Sequence, residues 1–273
     1  MFASNLGFRS SSTPPGNFGN NAFWGSTFNT NRQLQLAANT QTQTDWNNLT
    51  NYSNTNGFTI EYWIYPTAWT IPDVVYGSIN PGPGAHNANN TNYWSFGGIS
   101  GNKLQLFFFN ANFASFRNNI ETASNTLPLN QWSNICAVFT SNGTNTTVTL
   151  YINGTREQID LNQSGTFTNS IAFPDLPYTG TNLFALGNYD DLIANNALYG
   201  FTDNLRVSNI NRYSGASYTV ATAPFVSDAN TQLIIEMDGV NGSTTFTDDS
   251  SIGWTVNNPS NLVVISNSRA DHT

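Results

Sequence analysis

The chain has 273 residues, of which 9% are charged, and a formal net charge of −8 at pH 7. Eight Lys and Arg residues, scattered along the sequence, argue against nucleic acid as a partner, because phosphate binding requires clustered positive charge. A single cysteine excludes an internal disulfide, and no run of 18 apolar residues predicts a membrane span.

Residues 1–33 are rich in Ser, Asn, Gly and Pro and contain the strong breaker Pro14-Pro15-Gly16. Aromatic side chains recur in this arm more often than a freely solvated tail would tolerate. Either the arm packs on its own domain or it docks onto a neighbouring subunit, and we favour docking over packing and over disorder. The residues expected to mediate this assembly are Phe2, Phe8, Phe18, Phe23, Trp24 and Phe28. Residues 1–8 lack a basic start and an apolar stretch, so we expect synthesis in a cytoplasm without a signal peptide.

The clearest predicted strand is 58–65, where Phe58, Ile60, Tyr62 and Ile64 alternate with the other residues until Pro66 ends the strand. Strands are also expected over 94–98 and 103–109, 132–140 and 146–152, 155–161, 183–187 and 200–208. No segment has a sustained period of 3.6 residues with helix caps. The sequence therefore predicts an all-β protein.

The strand 200–208 alternates strictly and predicts that Phe201, Asp203, Leu205 and Val207 share one face. A carboxylate on an apolar face needs partners, because an unpaired buried charge is costly. We expect backbone N–H groups or Arg206 to satisfy Asp203, which would then be a structural carboxylate. The alternative is a metal or catalytic role.

Several segments carry a family resemblance. Gly200 to Val207, then Arg212-Tyr213 and Ala223-Pro224-Phe225, resemble the closing strand of laminin-G-like (concanavalin A-like) jelly-roll modules. Residues 58–66, 132–139 and 148–154 are similar to three further strands of that family, although Asn134 stands near a position where the family often has His. The resemblance spans roughly residues 55–250. It implies a jelly-roll sandwich of two antiparallel sheets with extended N- and C-terminal segments.

The resemblance also implies how the chain is divided. Residues 231–239 and 242–250 are similar to segments that open such modules in phage proteins, yet here they come last. We therefore expect an N-terminal arm over 1–33 and a single sandwich over 34–273, with 227–273 supplying the completing strands. A second, truncated domain is the alternative.

Catalysis is not expected. Glycoside hydrolases with this fold need two suitably spaced carboxylates, and the acidic strand signature is missing among the four glutamates. Nucleophile chemistry needs a base, and the two histidines lie in a Pro/Gly-rich loop and at the terminus. Calcium remains the one open cofactor, since oxygen ligands suffice. Its candidates are Asp190, Asp191, Asp248 and Asp249, whose alternative is an ordinary turn role.

A sugar site requires exposed aromatic faces beside polar groups. The loop aromatics that could provide them are Trp69, Tyr76, Tyr93, Tyr189 and Tyr199. These residues could equally lie at the rim of a large core.

The resemblance implies a non-enzymatic structural protein on the virion surface of a tailed bacteriophage. Its place there would be head (capsid) decoration, a fibre or a tail adhesin. Expected partners are other virion proteins, further copies of the same chain and host-surface glycans. One alternative is a lectin-like carbohydrate-binding module, and another is a glycoside hydrolase.

Overall fold

The computed structural model describes residues 21–25, 34–37, 56–68, 76–80, 93–99, 101–109, 117–174, 185–186 and 198–267. These ranges contain 18 β-strands and no helix. The described residues therefore include no helix that could cross a membrane. The strands form two nine-stranded antiparallel sheets. The predicted all-β, concanavalin A-like jelly-roll sandwich is confirmed.

Sheet A has the order β10-β9-β8-β3-β15-β1-β18, while β13 pairs with β9 and β16 pairs with β15. Its strands are β1 (Asn21–Gly25), β3 (Phe58–Pro66), β8 (Ser133–Ser141), β9 (Asn145–Ile152), β10 (Thr155–Arg156), β13 (Ile171–Pro174), β15 (Gly200–Ser208), β16 (Thr231–Ile235) and β18 (Val264–Ser266).

Sheet B has the order β12-β11-β7-β6-β5-β4-β14-β2-β17. Its strands are β2 (Leu34–Ala37), β4 (Tyr76–Asn80), β5 (Tyr93–Ile99), β6 (Lys103–Phe109), β7 (Arg117–Thr122), β11 (Ile159–Leu161), β12 (Phe167–Thr168), β14 (Ala185–Leu186) and β17 (Thr255–Asn257).

The core lies between the facing sides of the two sheets. Strand β3 contributes the alternate residues that the sequence pattern indicated, and all four belong to the buried cluster. The Phe58 ring stacks on Phe139 at 4.1 Å, and the Tyr62 ring meets Phe96 of sheet B edge-on at 6.0 Å. Burying each such side chain contributes about 1.5–3 kcal/mol. The alternation of β3 therefore fixes which side of sheet A faces sheet B.

The outer side of sheet A is covered by residues 209–225. Arg206 on that side donates two hydrogen bonds to the buried Glu61, and its guanidinium lies 3.9 Å from the centre of the Phe225 ring. The Tyr213 hydroxyl donates to the same carboxylate at 2.9 Å, and the Tyr213 ring stacks on Tyr218 at 3.7 Å. This covering segment closes much of the outer side of sheet A.

A β-bulge changes the predicted facing of β15. Asp203 pairs with Trp63 and Arg206 pairs with Glu61, so two residues of β15 oppose one residue of β3. Asn204 takes the left-handed conformation (φ 46°) that the bulge requires and that Asn tolerates better than most residues. The prediction of one shared face was therefore wrong, because Leu205 and Val207 join the core while Asp203 lies on the outer side with Arg206.

The N-terminal arm does not end where the sequence suggested. Strand β1 lies inside sheet A, paired with β15 on one side and β18 on the other. Phe23 packs against Phe201 of the same chain at 5.0 Å, which corrects its expected role on a neighbouring subunit. The Trp24 side chain and residues Phe2, Phe8, Phe18 and Phe28 lie outside the described part of the chain.

The C-terminal segment contributes strands to both sheets. Strand β16 extends sheet A beside β15, β18 pairs with β1, and β17 pairs with β2 at the edge of sheet B. The described strands from both ends of the chain therefore lie in the same two sheets.

Candidate functional site

A cleft of about 260 Å³ lies at one end of strands β6, β7, β11 and β12 of sheet B. Its walls are formed by the start of β6, by the end of β7 with the residues that follow it, and by the turn after β11. The lining residues are Lys103, Glu121, Thr122, Ala123, Ser124, Asp160, Gln163, Gly165 and Phe167.

Strand register brings the polar residues of the cleft together. Glu121 on β7 lies directly opposite Asp160 on β11, and Asp160 lies opposite Phe167 on β12. Their chain neighbours Ile120 and Ile159 are buried in the core. Because side chains alternate along a strand, Glu121 and Asp160 must point away from the core, and both carboxylates share one face.

Glu121 is a buried carboxylate with one unused oxygen. Its Oε2 accepts a bond from the Lys103 ammonium at 3.1 Å, and the two side chains are 3% and 24% exposed, respectively. Its Oε1 is also buried and accepts no hydrogen bond. A buried acceptor without a donor is costly, so Oε1 is an unmet hydrogen-bond acceptor on a residue that lines the cleft.

Asp160 is held in place by the turn that follows it. Its Oδ1 accepts bonds from the Ser164 amide and hydroxyl at 3.1 and 2.5 Å, and its Oδ2 accepts one from the Gly165 amide at 2.8 Å. Burial alone would raise the pKa of Asp160, but these hydrogen bonds outweigh it and lower the pKa below the ordinary value. Asp160 is therefore a fixed negative charge in the cleft at neutral pH.

Phe167 gives the cleft an apolar wall. Its side chain is 44% exposed, whereas most described aromatic side chains are buried. The ring thus lines the same cleft as the two carboxylates and remains open to solvent.

Of the predicted sugar-binding aromatics, Tyr199 is the one whose side chain the structure describes, and it does not line this cleft. Tyr199 is only 6% exposed, so it offers no open ring face, and its selection was wrong. Tyr76 and Tyr93 begin β4 and β5, but their side chains lie outside the described part of the chain. Trp69 and Tyr189 also lie outside it. Phe167 was missed, although an aromatic residue directly after the polar turn Gln163-Ser164-Gly165-Thr166 is a usable signal.

Among the calcium candidates, Asp248 has a structural role. Its two oxygens accept four hydrogen bonds, from the amides of Ile234, Ser250 and Trp254 and from the Ser250 hydroxyl. Asp249 beside it is exposed. Asp190 and Asp191 lie outside the described residues. Within the described ranges, no group of three or more acidic, His or Cys side chains is arranged to hold a metal ion.

Asp203 differs from its predicted role. The side chain is 0% exposed, yet neither carboxyl oxygen accepts a hydrogen bond of normal geometry, and Arg206 binds Glu61 instead. Burial raises the pKa of Asp203 well above its usual range, and the nearby negative charges of Asp238 and Glu236 raise it further, against the opposing hydrogen bond from the Asn204 amide. The carboxyl therefore keeps its proton to a higher pH than an exposed aspartic acid.

This raised pKa makes a testable prediction for Asp203→Asn. The folded state binds the Asp203 proton more tightly than the unfolded chain, so wild-type stability should fall as pH rises above about 3.9 towards the folded-state pKa. The amide cannot ionise, and we expect the variant to be more stable than the wild type at pH 8 by about 1 kcal/mol or more. The difference should shrink towards pH 4 in urea unfolding.

Asp228→Asn should show the opposite dependence of stability on pH. The hydrogen bonds from Arg212 lower the pKa of Asp228, so its stabilisation is present at neutral pH and is lost as pH falls. This variant should therefore lose stability at pH 7 and approach the wild type in acid. A wild type that is more stable than Asp203→Asn at pH 8 would show that Asp203 is ionised and paired.

Solved structures with a similar fold have low identity. The Limulus polyphemus heptameric SAP-like pentraxin is 15% identical, with coverage of 92% of this chain and 97% of that chain and a TM-score of 0.43. The Ruminococcus gnavus IT-sialidase CBM40 bound to α2,3-sialyllactose is 11% identical, with coverage of 59% and 80% and a TM-score of 0.43. Tailspike protein 2 from an Escherichia coli O157:H7 bacteriophage is 12% identical, with coverage of 59% and 20% and a TM-score of 0.35.

No curated protein matches the sequence significantly. The structural similarities concern the fold alone, because the identities are low. A family model for the Concanavalin A-like lectin/glucanases superfamily matches residues 36–215, about two thirds of the 273 residues. Together with the two-sheet sandwich, this match shows that the chain belongs to the Concanavalin A-like lectin/glucanases superfamily, in its laminin G group.

Proposed function

We propose that this protein is a non-enzymatic carbohydrate-binding module and that the cleft of sheet B is its saccharide site. The observation that carries the proposal is an exposed Phe167 ring in the same cleft as Glu121, whose buried Oε1 has no hydrogen-bond donor. An aromatic ring can cover the apolar C–H face of a sugar. The hydroxyls of the same sugar can donate to carboxylate oxygens, which supply the few placed polar groups that a ligand site needs.

The two carboxylates suit binding better than hydrolysis. Glu121 and Asp160 are cross-strand neighbours, and glycoside hydrolases usually use a pair of carboxyl groups for catalysis. Such an enzyme needs one of them as a protonated general acid with a raised pKa. The pKa of Asp160 is lowered, and Glu121 already binds Lys103. Asp160 is therefore not set up as a proton donor, which supports a lectin-like role.

A glycan array followed by titration calorimetry tests this proposal. Phe167→Ala should weaken binding of the best array ligand by about tenfold, equivalent to the ~1.4 kcal/mol that a ring contact can provide. The melting temperature should change little, because Phe167 is 44% exposed.

Val226→Ala is the matched control. Val226 is an apolar side chain that is 81% exposed and does not line the cleft, so this variant should bind as the wild type does. Equal losses in both variants, or array binding that Phe167→Ala leaves intact, would place the saccharide site elsewhere.

We further propose that the module is displayed on the surface of a tailed-phage particle, as head decoration, fibre or tail adhesin. Support comes from the sequence resemblance of its closing strand and C-terminal segment to modules of phage structural proteins. Val226 and Val240, 81% and 79% exposed, are apolar side chains that virion proteins or further copies of the chain could cover. An adhesin would use the cleft to bind host-surface glycans. Immunogold labelling of purified particles tests this location, and unlabelled particles would exclude it.

A further inference from the structure

We infer that the cleft selects a saccharide unit that carries a positively charged amino group. This inference rests on the proposed function and names the ligand class of the same site. The ionised groups that line the cleft are Lys103, Glu121 and Asp160, and their positions determine which ligand charge fits.

The charges of the cleft do not cancel. The Lys103 ammonium is bound to Oε2 of Glu121 at 3.1 Å and offsets that carboxylate. Asp160 receives its hydrogen bonds from the uncharged Ser164 and Gly165, so its negative charge has no cation beside it in the cleft. The cleft therefore carries one net negative charge.

The unused acceptor lies close to that charge. Oε1 of Glu121 is buried without a donor, and Glu121 is the cross-strand neighbour of Asp160. Facing cross-strand residues have Cβ atoms about 5 Å apart. A single ammonium group placed between them would donate to Oε1 and offset the Asp160 charge.

An acidic sugar is expected to bind this cleft less tightly than an amino sugar. A carboxylate-bearing unit could donate a hydroxyl to Oε1 but would bring a like charge near Asp160. A neutral unit could donate a hydroxyl to Oε1 but would leave the net charge in place. Charge-assisted hydrogen bonds are about twice as strong as neutral ones, so the order of affinity should be amino, then neutral, then acidic.

Calorimetric titration with three matched trimers tests this order. The probes are the glucosamine trimer, its N-acetylated counterpart and a galacturonic acid trimer. The wild type should bind the glucosamine trimer about tenfold more tightly than the acetylated one. The preference should weaken between about 20 mM and about 300 mM salt, because ions screen it.

Two variants test whether the preference for an amino group arises in the cleft. Glu121→Gln removes one negative charge and should reduce the ratio of glucosamine to acetylated affinity to near one. Asp249→Asn removes the same charge at an exposed turn outside the cleft and should leave the ratio unchanged.

Equal affinities, or tightest binding of the acidic trimer, would overturn the inference. Loss of glucosamine binding in EDTA would also overturn it, because the carboxylates would then be holding a metal ion. If no trimer binds while array glycans bind in a Phe167-dependent way, the charge preference is wrong and the saccharide site stands. An array on which nothing binds removes the proposed function itself.

Discussion

Replacing Arg206 with methionine is expected to lower the free energy of unfolding by about 3–5 kcal/mol. Arg206 donates to Oε1 of Glu61 at 2.6 and 2.9 Å, and the two side chains are 12% and 2% exposed. The substitution would leave Glu61 as a buried carboxylate with the Tyr213 hydroxyl as its remaining donor. It would also remove the guanidinium that covers the Phe225 ring. Urea unfolding at pH 7 measures the loss.

Arg212→Met is the matched control for this experiment. Arg212 pairs with Asp228, and their side chains are 12% and 46% exposed. Because water can solvate the Asp228 carboxylate once Arg212 is replaced, we expect a smaller loss than in Arg206→Met. The double variant Arg206→Met, Glu61→Leu should recover part of the loss, because it removes the stranded charge. Equal losses in Arg206→Met and Arg212→Met would show that the Arg206–Glu61 pair contributes no more to the free energy of unfolding than the Arg212–Asp228 pair.

Local sequence patterns predicted strand alternation and tight turns, because both depend on residues that are neighbours in the chain. The alternation of β3 was enough to identify its core face. The Asn153-Gly154 turn joins β9 to β10, and both residues have the positive φ that this pair tolerates best. The bulge at Asn204 could not be predicted in this way. A strictly alternating strand fits the sequence equally well, and only pairing with β3 selects the left-handed conformation.

The candidate site depends on contacts between distant parts of the chain. Glu121 and Asp160 are separated by the whole of β8, β9 and β10, and only the pairing of β7 with β11 brings them together. Loop aromatics were a reasonable guess for a sugar site. Exposure nevertheless depends on which neighbours cover a ring, and sequence does not give this. Tyr199 is buried, whereas Phe167 on a short edge strand is open.

The sequence also assigned the structural carboxylate to the wrong aspartate. The sequence pattern singles out Asp203 because it interrupts an apolar face, and Asp248 is a calcium candidate because it stands beside another aspartate. In the structure Asp248 accepts the backbone amides, while Asp203 lies buried without such donors. The local pattern could not assign these partners, since hydrogen-bond donors come from elements that it does not show.

Asp248 connects two parts of the C-terminal segment. Its Oδ1 accepts the amide of Ile234 on β16 at 3.0 Å, and its Oδ2 accepts the amide of Trp254 at 2.8 Å. The Trp254 ring belongs to the core cluster, and its Nε1 donates to the Gln232 carbonyl on β16 at 2.9 Å. The carboxylate thus holds the 248–254 turn against β16.

Asp248→Ala should therefore lower the free energy of unfolding by about 3 kcal/mol or more, because several donors lose their acceptor and each buried one costs about 1–3 kcal/mol. Asp249→Ala is the matched control, since Asp249 is exposed and its carboxylate has fewer donors, namely the Thr247 hydroxyl at 3.4 Å and the Glu236 amide. We expect that variant to stay within about 0.5 kcal/mol of the wild type. Urea unfolding of both variants, with and without millimolar calcium, measures the difference. A wild type that calcium stabilises, with no such effect in Asp248→Ala, would instead identify Asp248 as a metal ligand.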